Sequence, residues 1–247
     1  MWFENFINNE EFSHQFQPIY NLDSWRIIGY EGLFRSDKFQ TPEEMFQFAR
    51  KQKRLYELDS RSIYKAVRTY QQAGFSNRDG RLFLNIFPST LERTSIHAFL
   101  SNMKNEFQLS SQHIVLEICE SEKIQDIAKF RKIIDELKKQ GISIALDDIG
   151  KGISDIQRII ELEPEYIKLD QYFTVDLHTS KKKQVILESI IRYSDVFQSK
   201  LILEGLETPI DLATAKISGV PFGQGYILGK PAFLKEKHRD GSRASFE

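Results

Sequence analysis

Cysteine is nearly absent from this sequence: Cys119 is the only one in 247 residues. An internal disulfide framework is therefore excluded, and a reducing compartment fits. Net charge is nearly absent too, since 34 Lys and Arg stand against 35 Asp and Glu, a formal −1. That balance removes the electrostatic case for long nucleic acid as a partner, while a small anionic ligand stays compatible with a locally positive site. No apolar run approaches the ~20 residues that cross a bilayer. The opening segment MWFENFINNEEF carries acids where a secretory signal needs basic residues and an apolar stretch. The expectation is a cytoplasmic protein without membrane insertion. Five histidines (His14, His97, His113, His178, His238) fall at no metal-ligand spacing.

What the sequence does have is apolar content, 40% of residues, enough for a substantial core in one domain. Eight segments read as strands: 16–21, 26–34, 81–87, 113–119, 142–149, 166–170, 200–206 and 222–228. Several are almost continuously apolar, as strands covered on both faces are. Helical patterns lie between them. One places Ile127, Phe130, Ile134 and Leu137 on a single face. Thr41-Pro42, Ser154 with Gln157, and Thr208-Pro209 mark helix starts. Alternation of strands and helices after residue 81 predicts a parallel sheet. The first two strands are joined by too few residues for a parallel crossover and should pair antiparallel. The expected fold is α/β, a TIM-like (β/α)8 barrel with an antiparallel first strand over residues 1–234, followed by a polar tail at 235–247. An open doubly wound sheet is the structural alternative.

Polar residues recur at one end of these strands. Glu31 falls near the end of the second, Asn85 late in the third, Glu117 late in the fourth, and Asp147 and Asp148 late in the fifth. Lys168 and Asp170 end the sixth, Glu204 and Glu207 the seventh, and Gln224 lies in the eighth. In a (β/α) barrel such positions converge on one mouth. Each has a plain structural reading on its own. Glu31 and Arg35 could be a surface ion pair, Asn85 a turn former, Asp147 and Asp148 a helix cap. Lys168 with Asp170 could be a solvated pair, and Gln224 a polar strand residue. So many carboxylates cannot be buried together without a compensating cation. The donors are all oxygen, which suits a hard divalent ion such as Mg²⁺ or Mn²⁺. Both aspartates reach one site only if the strand turns there, which Gly150 and Gly152 permit.

The motifs QPI with Gln17, EGLFR (Glu31 to Arg35), LNI with Asn85, LEICE with Glu117 and Glu120, and DDIGKG with Asp147 and Asp148 run in order along the chain. They continue through IKLD with Lys168 and Asp170, LEGLET with Glu204 and Glu207, and QGYILGKP with Gln224. In these the chain resembles the EAL-domain phosphodiesterases of bacterial cyclic di-GMP signalling, over roughly residues 13 to 231. The resemblance implies hydrolysis of cyclic di-GMP to linear pGpG. It implies one or two Mg²⁺ or Mn²⁺ ions on Glu31, Asn85, Glu117, Asp147, Asp148 and Glu204. Lys168 would position or polarise the attacking water, with Glu204 beside it, and Glu120 would anchor the loop after strand five. Gln17, Arg35, Asp170 and Glu207 would face the nucleotide, with Gln224 supporting the site. That loop, DDIGKGISDI, departs from the family's common DDFGTGYSSL at Ile149, Lys151, Ile153 and Asp155. In the family it couples metal binding to dimerisation, so a homodimer through it and a separate sensor protein are expected partners. The alternative is a catalytically weak or inactive relative that binds cyclic di-GMP or a protein partner as a receptor or regulator.

Overall fold

A computed structural model describes residues 2–75, 80–150 and 155–235. Eight strands close into one barrel in sequence order. They are β1 (Ser13–Asn21), β2 (Ile27–Arg35), β3 (Arg81–Ile86), β4 (Ile114–Ile118), β5 (Ser143–Ile149), β6 (Tyr166–Leu169), β7 (Lys200–Leu203) and β8 (Phe222–Gly223). β1 runs antiparallel to both neighbours, β2 and β8, and every other pair is parallel. The expected hairpin and barrel are both present, and the open sheet is excluded.

The helices are α1 (Trp2–Asn8), α2 (Pro42–Lys51), α3 (Leu55–Gln72), α4 (Pro88–Leu91), α5 (Ile96–Phe107), α6 (Ile127–Lys139), α7 (Asp155–Leu162), α8 (Lys181–Phe197) and α9 (Pro209–Ile217). Their starts obey local chemistry. Thr41 accepts from the Glu44 N–H, and Glu44 Oε2 accepts from the Gln40 N–H at 3.1 Å, so α2 begins where its proline fixes the backbone. Thr208 and Asp211 cap α9 reciprocally. The cap expected at Ser154 lies outside the described residues. In α6 the buried face is Phe130, Ile134 and Leu137, with Ile127 at its edge. α1 was not anticipated by the sequence reading. It packs Phe3, Phe6 and Ile7 with Phe12, Phe34, Met45 and Leu58.

Two cores follow from strand alternation. Outward side chains pack against the helices in one large cluster. Inside the barrel, Ile19, Phe83, Val115, Ala145, Tyr166 and Ile202 form a separate apolar plug. β7 and β8 are shorter than expected. Gly205 takes a left-handed φ of +68° and ends β7's extended path. Gly225 sits so close to Leu206 that a Cβ there would lie 2.2 Å from its carbonyl oxygen. The Leu206 N–H donates to the Gln224 carbonyl at 3.1 Å and the Ile227 N–H to the Leu206 carbonyl at 3.1 Å. The chain turns there instead of continuing as strand. No helix among the described residues is long and apolar enough to cross a membrane.

Candidate active site

The apolar plug positions the site. In a strand, residues two apart share a face, so each interior apolar residue places the residue two steps on directly above it. Phe83 lifts Asn85, Val115 lifts Glu117, Ala145 lifts Asp147, Tyr166 lifts Lys168 and Ile202 lifts Glu204. Phe222 likewise precedes Gln224. β1 runs the other way, so Gln17 precedes Ile19 and still reaches the mouth. Below Glu31 stands Gly29, where a Cβ would meet the Phe83 ring at 2.8 Å; the glycine makes room for that ring.

Lys168 is the centre. Only 1% exposed, its Nζ lies 2.7 Å from Glu204 Oε1, 2.9 Å from Glu117 Oε1, 3.1 Å from Glu31 Oε2 and 3.1 Å from Asp147 Oδ1. Glu31 also accepts from Gln224 Nε2 at 2.7 Å and from Asn85 Nδ2 at 3.1 Å. Gln224 donates to Gln17 Oε1 at 3.2 Å, and Gln17 donates to the Gly229 carbonyl at 2.9 Å. The surface ion pair between Glu31 and Arg35 is thereby excluded. Arg35 instead donates from Nε to Gln15 Oε1 and from Nη1 to the Phe34 carbonyl, each at 2.8 Å, at the rim of the mouth.

Asp148 joins by a different device. The β5–β6 ladder slips between Leu146 and Ile149, and Asp148 takes a left-handed φ of +56°. This bulge lets two consecutive aspartates serve one site. Carboxylate oxygens of Asp147, Asp148 and Glu204 lie within 4.8 Å of one another. The turn expected from the glycines is therefore made by Asp148 itself, followed by Gly150 at +120°; Gly152 lies outside the described residues.

The electrostatics are those of excess acid. Burial, helped by the Asp147 and Glu31 charges and opposed by Lys168, pushes Glu204 up to about 8. Burial and the Glu31 charge push Glu117 well above the carboxylate range, and burial raises Asp147 against the pull of Lys168. Burial alone would raise Glu31 too, but Lys168 and the Gln224 and Asn85 hydrogen bonds win and hold it low. Burial would lower Lys168, yet its four carboxylates hold it well above the ordinary lysine range. Oε2 of Glu117 is buried and accepts no hydrogen bond from the described residues. An oxygen left so, among carboxylates served by one ammonium, fits a site that can hold a cation. The donor set suits a hard divalent ion.

The other expected residues take lesser places. Asp170 is buried and accepts the Tyr172 N–H at 2.8 Å, so it caps the short turn Gln171–Phe173 while facing the mouth. Glu207 is exposed at the rim of the same cavity, about 300 Å³ in volume. Glu120 lines an adjoining cavity of about 350 Å³ with Arg35, Asn85 and Asp148. The loop it was expected to anchor, with Lys151 and Ile153, falls at 151–154 and lies outside the described residues. The sequence reading missed Asp59, Phe46 and Arg50, which line the larger cavity, and Tyr226, which lines the smaller. Asp59 carried a signal: it falls on the apolar stripe of α3 with Leu55, Ser62, Ile63 and Ala66, where an acid is out of place.

A closed (β/α) barrel with a ring of carboxylates around a buried lysine at the C-terminal strand ends defines a barrel with an acidic mouth whose donors suit a hard cation. The chain belongs to the EAL domain family, whose model matches residues 2–231. It is 27% identical over 223 residues to the blue light- and temperature-regulated antirepressor BluF of Escherichia coli K12, covering 90% of this chain and 54% of that protein. It is 28% identical over 242 residues to the cyclic di-GMP phosphodiesterase PA2567 of Pseudomonas aeruginosa, covering 96% and 41%. Among solved structures, Klebsiella pneumoniae BlrP1 in a manganese and cyclic di-GMP complex superposes with a TM-score of 0.82 at 26% identity, covering 90% of this chain and 56% of that one. The chain spans about half the length of these relatives, or less.

Proposed function

We propose that this chain hydrolyses one phosphodiester bond of cyclic di-GMP, giving linear pGpG, in cytoplasmic second-messenger signalling. The observation that supports it most is the carboxylate ring around Lys168 with its unpartnered Glu117 oxygen. Relatives named as cyclic di-GMP phosphodiesterases, and one solved with manganese and cyclic di-GMP, support this substrate and ion class.

In this reading Glu31, Asn85, Glu117, Asp147, Asp148 and Glu204 hold one or two Mg²⁺ or Mn²⁺ ions. A divalent ion there supplies Lewis acidity and brings water's pKa toward neutrality. In the ring as it stands, four carboxylates hold Lys168 well above the ordinary lysine range, and its ammonium faces Glu204 at 2.7 Å and Glu117 at 2.9 Å. It orients the attacking water and offsets negative charge on the phosphodiester. Arg35, steered by Gln15 and the Phe34 carbonyl, faces the phosphate as a planar donor. Gln17, Asp170 and Glu207 bound the nucleotide space, and Gln224 holds Glu31. Glu120 would anchor the loop after β5; a homodimer through that loop and, separately, a sensor protein are the partners this reading expects.

The test is incubation with cyclic di-GMP and Mn²⁺ or Mg²⁺, with products resolved by chromatography. The expected result is pGpG, abolished by chelator and restored by the ion. Similarity to an antirepressor supports a second reading, a receptor that signals by contact. Tight binding of cyclic di-GMP with no turnover at any ion concentration would establish that reading instead.

A further inference from the structure

Asp59 takes no part in the chemistry just described, yet it is one of the most buried acids near the mouth, 2% exposed. It projects from α3 into the wall of the larger cavity beside Asn85 and Cys119. Its Oδ2 accepts the backbone N–H of Phe87 at 3.0 Å. Phe87 is the first residue past β3 and the N-cap of α4, two residues after Asn85.

Burial pushes the Asp59 carboxyl up to about 7, and the Phe87 hydrogen bond pulls it back. A charge-bearing group is a poor choice for filling space here; a leucine would do that without the desolvation cost. What distinguishes Asp59 is where its hydrogen bond ends. The end of β3 is held on one side by the Cys119 N–H donating to the Ile86 carbonyl at 3.1 Å. Asp59 holds it on the other. Between these two anchors the Asn85 amide is aimed at Glu31, donating at 3.1 Å, while the Cys119 thiol reaches its Oδ1 at 3.7 Å.

We infer that Asp59 is a positioning residue for Asn85: by gripping the Phe87 N–H it fixes the end of β3 and holds the Asn85 side chain in the cation-binding ring. The inference rests on the proposed function for Asn85's role as a ligand. Groups that orient a ligand in this way are worth about 10–100-fold in metal affinity or activity.

The experiment compares the full chain with Asp59→Leu, which removes the acceptor and puts a larger apolar side chain in its place, and Asp59→Asn, which keeps an acceptor oxygen without the charge at nearly the same volume. Mn²⁺ affinity is read by electron paramagnetic resonance, turnover by chromatography, and folding by circular dichroism. In Asp59→Leu the Mn²⁺ Kd should rise about 10–100-fold and kcat should fall, with KM nearly unchanged. Asp59→Asn should stay within about threefold of the parent, a rescue that loss of stability alone would not give. A folded Asp59→Leu that binds Mn²⁺ like the parent overturns the inference, as does an Asp59→Asn as impaired as Asp59→Leu. Should Asp59→Leu not fold, hydrogen exchange of the Phe87 amide decides. Slow exchange in the parent and in Asp59→Asn supports the tether, and exchange at the rate of an open amide refutes it. A parent that binds no Mn²⁺ refutes the proposed function instead, and the Phe87 exchange still judges the tether.

Discussion

Replacing Lys168 by methionine removes one charge from the point where Glu31, Glu117, Asp147 and Glu204 meet. Methionine keeps the length and apolar stem, so packing changes little. Breaking a buried ion pair by deleting one partner costs about 3–5 kcal/mol, because a buried charge is left uncompensated. Here one ammonium faces four carboxylates at 2.7 to 3.1 Å, which puts the expected loss near the top of that range. For a domain of this size about 1 kcal/mol moves Tm by about 2–4 °C, so a loss of about 5 kcal/mol corresponds to about 10–20 °C. The loss should be largest above pH 8, where Glu204 is ionised, and smaller at pH 6, where protons replace the missing cation. Saturating Mn²⁺ should shrink the deficit, since an ion at 100 times its Kd contributes about 2.7 kcal/mol and the variant's ring attracts cations more strongly. The assay is thermal unfolding of both proteins in chelator and in Mn²⁺, at pH 6 and 8.5. A variant within about 1 kcal/mol of the parent in chelator at pH 8.5, or a deficit untouched by Mn²⁺, would refute this account of the ring.

Three further outcomes are expected. In chelator the parent should lose stability as pH rises from 5 to 8.5. Glu204 keeps its proton to about 8 in the fold against its ordinary 4.5, so the folded state binds more protons across that window; Glu117 and Asp147 act in the same sense. Melting curves across pH, with and without Mn²⁺, check both the slope and its flattening by the ion. Arg35→Ala should weaken cyclic di-GMP binding by about 1.5–3 kcal/mol with little change in Tm, read by calorimetry against thermal unfolding. Gly225→Ala places a Cβ 2.2 Å from the Leu206 carbonyl oxygen and 2.3 Å from its nitrogen. It should destabilise the protein by about 1–3 kcal/mol and weaken Mn²⁺ binding as Gln224 shifts, measured by denaturant titration and paramagnetic resonance.

Much of the candidate site was legible because strand periodicity turns a list into a geometry. Val115-Leu116-Glu117 and Tyr166-Ile167-Lys168 repeat one pattern, an interior apolar residue and then a polar one two places on, and the barrel makes their ends converge. β8 was overextended for the same reason. Gln224 to Leu228 reads as strand by composition, but the close approach of Gly225 to Leu206 depends on a contact between segments that no local pattern encodes. Asp148 is similar: its bulge arises from a register slip against β6, a property of the pair and not of either strand. Asp59 was visible as an acid on an apolar stripe, yet its partner is a backbone N–H 28 residues away, beyond any helical spacing. α1 has only seven residues, too few for Phe3, Phe6 and Ile7 to display a helical period.

The seam where the barrel closes has a consequence for how the protein is made. β1 meets β8 through only two residue pairs, Tyr20 with Gly223 and Asn21 with Phe222, and Phe16 bridges to Ala232 nearer the mouth. Gln17 reaches across that seam to Gln224 and to Gly229, 207 and 212 residues away along the chain. Such contacts close the longest loops and form late in folding. A ribosome must therefore deliver the chain through Gly229 before Gln17 can meet its partners, and a nascent chain paused after β6 presents Lys168 and Asp147 without Glu204 or Gln224. Until then the acids have neither their full set of neighbours nor a closed wall. A chain that stops short of Gly229 therefore carries the lysine and part of its acids without the contacts that close the wall around them.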